Sequence, residues 1–168
     1  MPRRRGQLST RRVIRLSAGA VAIVLLAVGL LDRAPSRKSA PPLPKTHLAG
    51  ASTTLAELRG HPVAVVFWAS WCTDCHREAA AVARFASSAA GRGRILTIDY
   101  QDGGNWRAFL SRYAWHMPVF QDRNGYTGDA YGIIGLPATV FIDSTGRIVS
   151  TSSGTQTVAT LSHSLAAA

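Results

Sequence analysis

A chain of 168 residues that is 46% hydrophobic and 17% charged can hold one domain with an appendage, and it is too apolar for disorder along its length. Its formal charge of +10 is lopsided: residues 1–45 hold ten Lys and Arg against the single acid Asp32, while residues 46–168 hold nine Arg against eight acids. The surplus belongs to a leader, so the folded part lacks the charged face that nucleic-acid binding requires, and two cysteines exclude a multi-bridge secreted scaffold and a four-cysteine zinc site.

Residues 1–15 carry six arginines and no acid, and residues 16–31 (LSAGAVAIVLLAVGLL) carry no charge. A basic stretch before an apolar run is the pattern of an export signal or signal-anchor. At about 1.5 Å per residue a helix of this length spans roughly 24 Å, and snorkelling by Arg15 extends it towards the ~30 Å of a hydrocarbon core. The arginines before the run place them in the cytoplasm and the C-terminal domain outside. The expectation is a single-pass protein of the cell membrane with an extracytoplasmic domain; cleavage near Ala27-Val28-Gly29 would make it secreted instead. Residues 32–46 (DRAPSRKSAPPLPKT) hold four of the eight prolines and one large apolar residue, Leu43, which predicts an extended tether. The folded domain is then 47–168.

Within it, VAVVFW at 63–68 predicts a strand buried on both faces. Residues 73–90, alanine-rich and free of Gly and Pro until Gly91, predict a helix with a glycine stop. A second strand is expected over 94–100, a helix over 105–114 from the spacing of Trp106, Phe109, Leu110 and Tyr113, a short strand over 118–121 and a helical turn over 127–131. ATVFI at 138–142 and residues 147–151 flank a hairpin turn at 143–146, and a closing helix covers 155–167. Strands alternating with helices and ending in a hairpin plus helix predict an α/β fold with a mixed central sheet flanked by helices.

The two cysteines are spaced C-x-x-C, which serves a disulfide, half a metal site or a haem attachment. Cys72 follows a buried strand and opens a helix, where unpaired N–H groups and the helix dipole stabilise a thiolate. It is the expected attacking thiol; Cys75, three residues on along the same face, is the resolving thiol. Asp74 between them opposes the dipole, raising the thiol pKa and favouring a reductant, while His76 pulls the other way when protonated.

The segment from Leu58 through Pro62-Val-Ala-Val-Val-Phe-Trp-Ala-Ser-Trp71-Cys72-Thr-Asp-Cys75, with Tyr131-Gly-Ile-Ile-Gly-Leu136-Pro137-Ala-Thr-Val-Phe-Ile-Asp143 some seventy residues later, resembles the membrane-tethered extracytoplasmic thioredoxins of the TlpA/ResA/CcmG type. The resemblance covers roughly residues 55–150 and implies a thioredoxin-like fold. It implies Pro137 as a cis-proline facing the disulfide and Leu136 offering backbone groups to substrate; Trp71 is expected to shield the disulfide and, with Asp74, to meet the substrate. Thioredoxins proper place an acid where this chain has Val66; the TlpA type carries one after the next strand, where Asp102 stands. Asp102 is therefore either a proton-transfer group for the resolving thiol or a cap for the following helix. The implied activity is thiol–disulfide exchange on protein substrates with no cofactor beyond the Cys72–Cys75 pair. A membrane redox partner would supply it, and cytochrome c maturation is one task.

Two rival classes use the same residues. Cys72-Thr-Asp-Cys75-His76 is literally C-x-x-C-H, the attachment motif of c-type haem, but that reading gives no role to VAVVFW or to Leu136-Pro137. A copper carrier of thioredoxin fold would use Cys72, Cys75 and a histidine. His116, Met117 and Pro118 either line the substrate groove or pack a loop on the core.

Overall fold

The structure, a computed structural model, describes residues 37–168. The basic segment and the apolar run expected to cross a membrane lie outside these residues; among the described residues no helix is long and apolar enough to do so.

Val63–Trp68 forms β2, with all six residues buried. It pairs in parallel with β3 (Ile95–Tyr100) and antiparallel with β5 (Ala138–Ile142). On the far side of β3 comes β4 (Val119–Asp122), parallel, then β1 (Thr46–Ala49), antiparallel. The hairpin partner of β5, β6 (Ile148–Ser153), closes the other edge, for an order β1-β4-β3-β2-β5-β6. Alternation along β2 divides the core. Ala64, Val66 and Trp68 join α1 (Thr73–Ser87), α2 (Trp106–Tyr113) and α4 (Val158–Ala166), while Val63, Val65 and Phe67 join Tyr131 of α3 (Tyr126–Tyr131), Ile133 and the 40–58 segment. This is the thioredoxin-like mixed sheet with helices on both faces.

Two expectations are corrected. The tether predicted for 32–46 is, from residue 37, laid onto the domain. Ser39 bridges Arg147, Ala40 N–H donates to Gly146 O at 3.0 Å, Tyr131 Oη donates to Pro41 O at 2.6 Å, and Leu43 packs on the core. Prolines without N–H groups lose nothing by running along a sheet edge, and the burial of Leu43 and Tyr131 rewards it. Residues 46–49 then add a strand that no periodicity announced. The helix expected to reach Ala90 ends at Ser87, because Ser88 turns extended and spends its hydroxyl and its N–H on Phe85 O. Gly91 follows against that same carbonyl; a Cβ there would lie 2.1 Å from Phe85 O.

Candidate active site

The parallel strands β2, β3 and β4 end at one edge of the sheet, and β5, running the other way, begins there. That edge gathers Trp71–Cys75 after β2, Asp102 after β3 and Leu136-Pro137 before β5. Cys72 is the N-cap of α1, its Sγ accepting the Cys75 N–H at 3.1 Å, and the two cysteines form a disulfide with Cα atoms 5.2 Å apart. Cys72 is 6% exposed and Cys75 1%, the order expected of an attacking and a resolving sulfur. The Leu136–Pro137 peptide is cis. Pro137 is buried and its carbonyl accepts the Gly154 N–H at 2.9 Å, while Leu136 is half-buried between the two halves of the core. Trp71, at 63% exposure, and Ile134, at 96%, stand out from this edge as an apolar rim. Trp71 presents its ring to solvent rather than screening the disulfide fully.

Asp74 is ion-paired with Arg77 on the exposed face of α1, and an exposed partner reduces the repulsion Asp74 exerts on a neighbouring thiolate. His76 is committed elsewhere, with Nε2 2.9 Å from Ser70 O and Nδ1 2.9 Å from Tyr113 Oη. Both nitrogens being engaged, its ring is not presented as a haem or copper ligand. Among the described residues no three His, Cys, Asp or Glu side chains converge on a common point.

Asp102 sits where the expectation placed it, almost fully buried, but it does not cap α2. That cap is Asn105, whose Oδ1 accepts Ala108 N–H at 3.0 Å. Asp102 reaches across to the active-site turn instead, Oδ2 accepting Ser70 N–H at 2.5 Å and Oδ1 accepting Gly104 N–H at 2.6 Å. Burial alone would raise its pKa; the hydrogen bonds from Ser70 and Gly104, with a further one from Asp99, outweigh that and hold it below the usual carboxylate range. An ionised carboxyl with both oxygens engaged braces the turn and is a poor proton carrier near neutrality. His116, Met117 and Pro118 belong to neither groove nor disulfide; they line a cavity of about 460 Å³ at the opposite end of the sheet, beside the end of α1.

Sequence reasoning passed over Glu78. One turn beyond Cys75 on the buried face of α1, it is 2% exposed; Oε2 accepts Gln156 N–H at 2.8 Å and Oε1 has no partner among the described residues. Burial pushes its pKa up to about 7 against the opposing hydrogen bond from Gln156. It floors a cleft that runs from Asp74 and Arg77 to residues 154–159, and Gly154 in that segment holds Pro137 O. The available signal was its place: an acid at i+3 from Cys75 on a helix face otherwise made of Cys75, Ala79, Val82 and Phe85.

A helix-opening disulfide at the sheet's edge, with a cis-proline on the neighbouring strand, defines a thiol–disulfide oxidoreductase of thioredoxin fold. The chain belongs to the AhpC/TSA family, whose profile matches residues 34–151. It is 34% identical over 146 residues to the thiol:disulfide interchange protein DsbE of Pseudomonas fluorescens (81% of this chain, 80% of that one). To the thiol-disulfide oxidoreductase ResA of Geobacillus thermodenitrificans it is 30% identical over 121 residues (71% and 70%). The solved exposed lipoprotein thioredoxin of Streptococcus pneumoniae superposes with a TM-score of 0.62 at 25% identity, covering 73% of this chain and 98% of that one. The relatives are thus of the TlpA/ResA/CcmG type that the two motifs resemble.

Proposed function

We propose that the chain is a reductant of protein disulfides outside the cytoplasmic membrane, held there by residues 16–31 and recharged by a membrane redox partner. The disulfide of an apocytochrome c C-x-x-C-H segment is one substrate of the right class. The observation that carries the direction is the surroundings of the sulfurs. Cys75 is 1% exposed, a buried carboxyl stands one turn away, and the nearby histidine is spent on Ser70 and Tyr113. Such surroundings disfavour thiolate, so the reduced form gains little and the couple is poised to give electrons away.

In the reaction the Cys72 thiolate attacks one sulfur of the substrate disulfide. That S–S bond breaks, and the released substrate sulfur takes a proton. Glu78, ionised, accepts the proton of the Cys75 thiol; the Cys75 thiolate attacks Cys72 Sγ and frees the second substrate thiol. The protein's dithiol becomes the disulfide seen here and two electrons pass to the substrate, whose two sulfurs take up one proton from solvent, in place of the one Cys72 had already lost to it, and one from Cys75 through Glu78. Trp71, Ile134 and the Leu136-Pro137 backbone form the seat for the incoming segment, and Asp102 holds the turn in register. The deciding measurement is the reduction potential of the Cys72–Cys75 pair in glutathione or dithiothreitol buffers. The expected value is near the roughly −270 mV of thioredoxin; one near the roughly −120 mV of a strong oxidant overturns the direction.

A further inference from the structure

One side chain beside the disulfide is held by a contact that the exchange steps do not use. His76 directly follows Cys75 on α1, and both of its ring nitrogens are engaged. Nε2 lies 2.9 Å from Ser70 O, and Nδ1 lies 2.9 Å from the hydroxyl of Tyr113, the last residue of α2. The partners decide which nitrogen carries the proton. A carbonyl oxygen only accepts, so Nε2 is the N–H that donates to Ser70 O. Tyr113 Oη has no other partner among the described residues, and its hydroxyl proton enters this hydrogen bond only if Nδ1 is bare. The arrangement is therefore complete with a neutral ring whose one N–H is at Nε2. Neighbouring rings hold it in that orientation. Phe109, buried on α2, has its centroid 4.8 Å from that of His76 and 4.9 Å from that of Tyr113, and it stacks on Trp68 of β2 at 4.2 Å.

We infer that Tyr113 is a positioning residue for the exchange reaction: through His76 it holds the Ser70 carbonyl, and it keeps the imidazole uncharged beside the cysteines. The Ser70 peptide leads into Trp71-Cys72 and is gripped on both sides, its N–H by Asp102 Oδ2 at 2.5 Å and its carbonyl by His76. Cys72 N–H donates to Ala69 O at 3.1 Å, so a shift at Ser70 passes to the turn that aims the attacking sulfur. The same contact governs charge. A hydroxyl donating to Nδ1 occupies the one lone pair at which the neutral ring can take up a proton. The charged groups around the ring do not substitute for it. The Arg112 guanidinium lies 5.6 Å from the Tyr113 ring centroid, Asp102 is engaged by Ser70 and Gly104, and Asp74 is paired with Arg77. A cleft of about 340 Å³ lined by Ser70, His76, Asn105, Ala108, Phe109 and Arg112 opens beside the ring. Without the Tyr113 hydroxyl, Nδ1 is free to take a proton from that side. His76 N–H donates to Cys72 O at 3.2 Å, so the ring and the attacking sulfur leave the same helical turn. Positive charge there favours the Cys72 thiolate and with it the reduced form.

The inference deepens the reductant reading and rests on it for its consequence, so the test has two arms. The first needs only the wild-type chain, in detergent micelles: nitrogen NMR of the His76 ring near neutrality. A bare Nδ1 and a protonated Nε2 are expected, and a protonated Nδ1 overturns the inference. The second compares Tyr113→Phe with the parent chain in two backgrounds, one with His76 and one with His76→Ala. With His76 present, Tyr113→Phe is expected to move the Cys72–Cys75 equilibrium with glutathione several-fold towards the dithiol. It is expected to speed alkylation of reduced Cys72 by iodoacetamide by a similar factor. In the His76→Ala background Tyr113→Phe is expected to move neither. A lost packing contact would instead lower the urea midpoint in both backgrounds and leave the redox equilibrium in place, which overturns the inference; so does a redox shift that persists without His76. A wild-type potential on the oxidant side refutes the reductant direction alone, because the shift is a difference between variants and is read at either potential.

Discussion

Single residues at the catalytic edge carry protonation states that a titration can read. Glu78 keeps its proton to about pH 7 in the fold but only to about 4.5 when exposed. The folded state therefore binds the extra proton between those values, and stability falls as pH rises through that window. Glu78→Gln should flatten the decline of the urea midpoint between pH 5 and 8. It should also slow resolution of a Cys72 mixed disulfide by about a hundredfold or more, the low end of the usual contribution of a proton-transfer group; an unchanged resolution rate would remove Glu78 from the mechanism. Asp102→Ala strands the Ser70 N–H and should cost about 1–3 kcal/mol in denaturant unfolding. The cysteines were readable because their chemistry is tied to local spacing, and Pro137 because the motif around it resembles the family's second signature. Glu78 was not, because burial among residues from distant strands is what makes an ordinary acid unusual. The contacts of Asp102 were likewise invisible: an Asp before Gly-Gly-Asn looks like a cap, and only the return of the chain past Ser70 offers it a better donor.

Among the elements, β2, β3, β5 and the four helices were legible within a few residues, since each has a strong period or a clear stop. β1 was not. THLA has too little pattern to specify a strand, and it becomes one because β4 leaves an edge that Thr46 and His47 can pair with. The end of α1 was misplaced by three residues, because the stop depends on the Ser88 hydroxyl and on the close approach of Gly91 to Phe85 O rather than on glycine's freedom alone. Gly91→Ala must push that carbonyl aside and should destabilise the domain by about 1–3 kcal/mol, as overpacking does; a neutral thermal midpoint would show that the loop yields freely.

At the scale of the whole domain, the segment taken for a tether proves to be part of the fold. A chain starting at Arg37 should therefore melt several degrees above one starting at Thr46, since removing residues 37–45 strips Tyr131 of its acceptor and takes Leu43 from its seat on the core, a loss of about 1–3 kcal/mol for the hydroxyl alone. Equal melting temperatures would return those residues to the role of spacer. The same segment fixes a polarity. It joins the domain beside the β5–β6 turn, at the end of β2 where Val63 faces Ile142, while the disulfide lies past Trp68 at the other end. Six strand residues, roughly 20 Å, separate the two. The chain thus enters the domain at its heel, and the redox edge lies at the toe, a full strand's length away.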